Sequence, residues 1–465
     1  MTDDNPTRTE RDSLGTVQVP ADALYGAQTA RALDNFPVTG LTPNPRFVEA
    51  YVIIKKAAAM ANGELDQLDD ERVRYIVAAA DEVLDGAHRD QFVVDVINAG
   101  AGTSINMNVN EVLANRALQL MDREMGDLEA MSPNDHVNMA QSTNDTFPTA
   151  MHLSVLLLHP ELDAALAELA LELRVKGEEF AKVVKSGRTH LQDAVPTTLG
   201  NEFAAYALAL ERSRDILDQM RDGLLELPLG GTAVGTGTNT HPRYRELAIG
   251  HISRMTGLKV RPAENMVQAM QSRQAIAAYS GGLRSLALEL IRIANDLRLL
   301  GSGPTSGLAE VRLPPVQPGS SIMPGKVNPV MAEALDMLAF QVIGHDTAVA
   351  LAAQAGQMEL NVMMPGMIHN VLTSMQYLIN YLPTFTEKGI RGIEANVDRA
   401  TGLAIRNPAI ATLLAPRIGY LEAAALAKEA VELGVPVLDL ALEKGTITQD
   451  ERREILDQLG IPDGH

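Results

Sequence analysis

Residues 153–184 read LSVLLLHPELDAALAELALELRVKGEEFAKVV, with Leu and Ala recurring at spacings of three and four between Glu and Lys. That period lines the apolar side chains along one stripe of a helix. Residues 202–227 and 266–300 repeat the pattern, and a Pro-free amphipathic run follows over 330–357. A lone helix of such length is a rod about 40 Å long that cannot bury its own apolar stripe. The spacing therefore predicts an all-α chain built on a long central helical bundle, with subunits sharing helices in an oligomeric core.

Working outward, the same period covers 47–65 and 70–84, whereas residues 1–45 are punctuated by Pro and Gly and read as irregular. After Val397 the chain becomes short Ala- and Leu-rich helices, with breaks at Pro408, Pro416, Gly434-Val435-Pro436 and Gly445. The expected organisation has three domains: 1–140, mainly helical; 141–396, the long-helix bundle; and 397–465, a small helical domain. Strands are scarcely signalled.

Composition narrows the chemistry. The 465 residues include 59 acidic and 39 basic side chains, a net charge of -20, which argues against nucleic acid or an anionic membrane as partner. Only ten of the basic residues are Lys, so each Lys within a motif carries information. The absence of Cys excludes disulfides, thiolate nucleophiles and Cys-ligated metal sites. The start, MTDDNPTRTERD, is polar, and nowhere do 18 uncharged apolar residues run together, so the chain reads as soluble and cytoplasmic.

Four polar, Gly-rich stretches interrupt the helices, at 98–110, 132–149, 186–198 and 304–329. Within the last, residues 319–328 read GSSIMPGKVN: two hydroxyls, a Pro-Gly break, a Lys and an Asn before the helix that follows Pro329. Such a loop suits a carboxylate or a developing oxyanion. It is not a phosphate-binding P-loop, because five residues separate Gly319 from Gly325 and Val327 follows Lys326. Thr103 and Ser104 lead into Asn106, Asn108 and Asn110, which offer neutral donors to an anion, although helix capping by either hydroxyl explains that turn equally well. Ser142, Thr143 and Asn144 stand before a helix, as a cap or an anion cradle. His190 follows Thr189 in GRTH. The run GGTAVGTG at 230–237 lacks the spacing and the βαβ setting of a dinucleotide turn, and no His pair has zinc-site spacing, so neither organic cofactor nor metal is expected.

Together, GSSIMPGKVN, GAGTSINMNVNEVLANRA, SPNDHVNMAQSTNDTFPTA, SGRTHLQDAVP and LGGTAVGTG resemble, in order and along nearly the whole chain, the aspartase and fumarase superfamily. Within it the match is to the branch holding aspartate ammonia-lyases and iron-free class II fumarases. The resemblance implies a homotetramer with a 20-helix core, active sites assembled from three subunits, and reversible anti elimination from a small dicarboxylate to give fumarate. The stretches 99–103, 141–145 and 133–138 look like aspartases; 229–239 with Thr240-His241-Pro242, and Met367-Ile368-His369-Asn370, look more like fumarases. Because Thr143 and Asn144 flank the leaving group, ammonia elimination from L-aspartate is expected ahead of malate dehydration. Two departures stand out: Thr305-Ser306-Gly307 where aspartases generally carry a basic start, and Ser132 where fumarases carry His in a secondary anion site. A catalytically silent scaffold would be expected to lose the loop Ser or Lys first, and both are present.

Carried over by motif position, the resemblance makes Ser320 the general base and has Lys326, with backbone N–H groups, stabilise its alkoxide. Thr103, Ser142, Thr143 and Ser321 would hold the β-carboxylate as it gains charge. Lys326, Asn328 and Thr189 would grip the α-carboxylate, and Asn144 and His190 the amino group. Glu333, seven residues after Lys326 and about two turns into the next helix, would orient His190.

Overall fold

The computed structural model describes residues 6–461; residues 1–5 and 462–465, at the ends of the expected first and third domains, lie outside the described residues. The fold is helical, as the periodicity predicts. The decisive stretch lies mostly in a 37-residue helix, Thr143–Glu179, and further long helices run over Leu199–Arg221, Gln274–Leu300, Val330–Gln354 and Met364–Phe385. The run expected as one helix over 266–300 is two, Met266–Gln271 and Gln274–Leu300. Buried Arg273 causes the break: its Nη2 donates to the Met270 carbonyl at 2.8 Å, ending the first helix, while Ser272 Oγ accepts from Gln274 N–H and starts the second. Among the described residues no helix is long and apolar enough to cross a membrane.

Contacts divide the chain into two compact units. The first comprises Met1–Asp163, Asp215–Ser285 and Gln341–Leu378. Pro45 opens the helix Pro45–Glu64 after Asn44, whose side chain accepts from Arg46 N–H, an ordinary N-cap. Phe47 and Tyr51 on this helix meet Phe147 with ring centroids 5.0 and 5.9 Å away, an aromatic cluster at the heart of the unit. Residues 7–35, expected to be irregular, instead form an antiparallel hairpin (Thr7–Asp12 with Gly15–Pro20) and the helix Ala27–Asn35. That helix has no local cap. Its first N–H groups are held by the buried carboxylate of Glu111, which accepts from Gly26, Gln28 and Thr29 at 2.8–3.1 Å. A cap more than 80 residues away leaves no local signal.

The second unit comprises Ala164–Arg214, Leu286–Phe340 and Ile379–His465. Its C-terminal helices close over Leu414, Leu426, Leu438 and Ile455, with Val184 in the same cluster. Pro416 lies inside Ala411–Ile418 rather than breaking it; the stop comes at Gly419. Residues 186–198, read as a polar stretch, belong to a second hairpin, Val184–Thr189 with Gln192–Thr198.

Candidate active site

In the first unit the segment Ser142–Asn144 forms a wall at the head of the 37-residue helix, which begins at Thr143. Thr143 is buried, and its Oγ1 accepts from Asn106 Nδ2 at 3.0 Å. The amide of Asn144 is fixed by a 2.9 Å bond from Nδ2 to the Ala233 carbonyl, which leaves Oδ1, an acceptor, as the atom without a protein partner among the described residues. Ser142 Oγ accepts from Asn144 N–H at 3.2 Å.

Thr103 starts the helix Thr103–Leu120 and stands exposed beside this wall. Gly102 before it has φ 87°, and a Cβ there would lie 2.0 Å from the Phe147 ring, so only glycine lets the two helix heads approach. Two helix N-termini thus lie together, each contributing a partial positive charge, an arrangement suited to a carboxylate.

The asparagines expected as anion donors do not serve that purpose. Asn106, Asn108 and Asn110 are buried. Asn106 and Asn110, one helical turn apart, both donate to Asn138 Oδ1, at 3.3 and 3.2 Å, while Asn108 faces away and pairs with Gln91 and Val93. Asn138 Oδ1 also accepts from Lys55 Nζ at 2.9 Å, and Lys55 reaches Gln141 Oε1 at the same distance. Burial lowers the Lys55 pKa to about 7, and attraction to Asp145 opposes that shift. Burial likewise pushes Asp145 up to about 6, against the N–H bonds it accepts and the charge of Lys55. The Asp145 carboxylate accepts from Ser142 N–H at 2.9 Å on one oxygen, and from Gly230 and Thr232 N–H at 3.0 and 2.9 Å on the other. The wall is therefore bolted to the core by Lys55, Asn138 and Asp145. Sequence reading missed these roles, although Asp145 lies within the quoted QSTND and Asn138 within PNDHVN.

In the second unit, Thr189 and His190 stand exposed at the end of the hairpin. His190 and Leu191 form a two-residue turn with φ 56° and 58°, the left-handed conformation a tight hairpin demands. The hairpin is anchored by Arg188, whose guanidinium forks onto fully buried Glu310 with two 2.9 Å bonds, and by Lys185, 2.7 Å from Glu202.

Residues 319–328 hold themselves together. Gly319 N–H donates to the Lys326 carbonyl at 2.8 Å and Asn328 Nδ2 to the Gly319 carbonyl at 2.7 Å. A Cβ on Gly319 would come 2.1 Å from that Lys326 oxygen, so the loop closes only on glycine. Ser320 Oγ accepts from the N–H groups of Ile322 and Met323 at 3.2 and 3.0 Å. Ser321 and Lys326 are exposed. Glu333 sits in the first turn of Val330–Gln354, not two turns in, because the residues after Lys326 remain loop until Val330. Within the one chain, and among the described residues, no hydrogen bond or ion pair joins Glu333 to His190. Nor do three or more His, Asp or Glu groups converge so as to hold a metal ion.

Four of the eleven expected residues, Thr103, Ser142, Thr143 and Asn144, thus lie in the first unit; Thr189, His190, Ser320, Ser321, Lys326, Asn328 and Glu333 lie in the second. A family model described as Lyase matches residues 15–344, and one described as Fumarase C C-terminus matches 410–459. The chain belongs to the aspartase and fumarase superfamily. It is a lyase. An aspartate ammonia-lyase from Bacillus sp is 47% identical over 97% of this chain and 96% of the relative. A class II fumarate hydratase from Halobacterium salinarum is 50% identical over 98% and 97% respectively. Among solved structures, a fumarate lyase:delta crystallin from Brucella melitensis bound to cobalt superposes with a TM-score of 0.95 at 46% identity, covering 98% of this chain and 100% of that one. Superfamily members of both leaving-group chemistries are therefore similar to this chain over its whole length.

Proposed function

We propose that this lyase is an aspartate ammonia-lyase that eliminates ammonia from L-aspartate to give fumarate, working in the cytoplasm as a homotetramer. The observation that carries the choice is the fixed amide of Asn144. One of its two N–H groups is held by Ala233, which fixes the amide with its carbonyl oxygen free to accept from the leaving group. An ammonium, which only donates, satisfies that oxygen fully. The opposite amide orientation would set two carbonyls against each other.

Ser320 is the base. A serine hydroxyl is far too weak for this at neutral pH, and the two N–H groups already on its Oγ support an alkoxide there, with Lys326 adding charge once the loop closes over substrate. Removing the proton throws a second negative charge onto the β-carboxylate. Thr103, Ser142, Thr143 and Ser321 hold it, at a site that the paired helix heads favour electrostatically. Lys326, Asn328 and Thr189 grip the α-carboxylate. His190 and Asn144 receive the amine, and Glu333 orients His190 from another subunit. Exposed Leu171, Val175, Leu288, Met337 and Phe340 on three of the long helices support the tetramer that such sharing requires.

The identity to a class II fumarate hydratase favours a second reading, L-malate dehydration. Fumarate absorbance with each substrate decides. L-Aspartate should give fumarate with stoichiometric ammonia, and L-malate, D-aspartate and L-glutamate at least about a hundredfold less, since a site built for one polar group can reject its analogue by about 10⁴. Rapid fumarate from L-malate would promote the second reading. Silence with every dicarboxylate would leave a scaffold that kept the fold.

A further inference from the structure

The carboxylate of Asp145 is fully buried, points away from solvent and has no part in the chemistry above. It nevertheless joins two segments that are distant in sequence. One oxygen holds Ser142 N–H and the other holds Gly230 and Thr232 N–H. The turn so captured returns a bond to the wall, because its Ala233 carbonyl accepts from Asn144 Nδ2. The turn is pinned from its other side by Arg245, whose Nη2 donates to the Gly230 carbonyl at 3.2 Å. The Gly-rich run 230–237, which fits no nucleotide motif, acquires a purpose in this arrangement. Its glycines pack the turn closely, and a Cβ at Gly235 would lie 2.8 Å from Val267 N.

We propose that Asp145 is a positioning residue that locks Ser142–Asn144 and the 230–237 turn into one rigid surface, and thereby aims the Asn144 carbonyl at the leaving group and Ser142 at the β-carboxylate. This deepens the elimination reading and rests on it. A carboxylate is the one side chain of this size that accepts on both oxygens. In Asp145→Asn the amide NH₂ must face either Ser142 N–H or the Gly230 and Thr232 pair, so one segment is released whichever way the amide turns.

Purified full-length Asp145→Asn, assayed beside wild type, should raise KM at least about tenfold and lower kcat/KM about 100-fold, the scale on which a misplaced substrate group costs rate. A purely structural role would instead lower kcat in proportion to the folded fraction at an unchanged KM, and that result overturns the proposal. If Asp145→Asn does not fold, Arg245→Lys decides, since it loosens the same turn without disturbing the buried carboxylate. It should raise KM several-fold, and a KM within twofold of wild type overturns the proposal. Wild type inactive on both L-aspartate and L-malate removes the elimination reading and this inference with it. An active wild type with a variant of unchanged KM removes only the inference.

Discussion

Thr143 and Ser320, both assigned to the proposed site, carry the same functional group in opposite settings. The Thr143 hydroxyl is buried and held by Asn106, which is tied through Asn138 to Lys55, while its neighbour Ser142 hangs on Asp145. The bonds of the Ser320 loop return to the loop itself, and Ile322 at its crest is 83% exposed. A rigid, prepaid donor array suits charge that must be met where it develops. A loop that keeps its internal geometry while making few outside bonds can move as one piece, as closure over substrate requires. On the proposed roles, preorganisation is thus placed in the wall, and motion in the loop that carries Ser320.

The largest expected effect breaks this contrast on the loop side. Ser320→Ala should lower turnover by about 100-fold or more, the usual worth of a general base, while fumarate or substrate binding by calorimetry changes little. A variant retaining more than a tenth of wild-type turnover would show that the base lies elsewhere.

A pair of substitutions sharpens the contrast. Thr143→Val removes a hydroxyl and weakens the bonding of the buried Asn106 amide, so it should cost about 1–3 kcal/mol of stability in urea titration together with activity. Ser321→Ala, on the exposed loop, should cost activity with stability within about 0.5 kcal/mol. Equal loss of stability in both would mean that the loop is as firmly built in as the wall.

The same division marks what the sequence disclosed. Long helices announce themselves by period, and 70–84 has the limits read from its spacing because Asp69 supplies the cap locally. The loop was legible because its hydroxyls, glycines and lysine are contiguous and bond to one another. The wall's hydroxyls were visible too, but not their supports: nothing near Asn106 reveals that its partners are Thr143 and Asn138. Local reading gave the asparagines to a ligand when the core had already claimed them. The hairpin carrying His190 escaped notice because its strands are polar and it is held by Arg188–Glu310, a pairing across 122 residues.

A further effect concerns pH and falls on the wall's helix. His152, nine residues after Thr143 on that helix, bonds through Nδ1 to the Glu226 carbonyl at 2.9 Å, bracing the chain that leads to the Gly230 turn. A carbonyl only accepts, so Nδ1 carries the proton and Nε2 is bare in the neutral ring. Burial, reinforced by the Arg273 charge, lowers its pKa to about 4 from an ordinary 6.5. The unfolded chain therefore takes up a proton below about pH 6.5 that the folded protein refuses until about pH 4. Stability from this group is complete above pH 6.5 and is lost progressively as pH falls towards 4, by at most about 3 kcal/mol. Asp145 acts in the opposite sense over nearly the same window: its raised pKa makes the folded state hold a proton that the unfolded state releases between about pH 4 and 6, so its contribution weakens as pH rises. In wild type the two slopes offset each other. His152→Gln leaves the Asp145 slope uncovered, so the urea midpoint of the variant, relative to wild type, should improve as pH is lowered from 7 to 4.5. A difference that stays constant with pH would mean that His152 titrates in the folded protein as it does in the unfolded chain, and that the wall is less dry than its packing indicates.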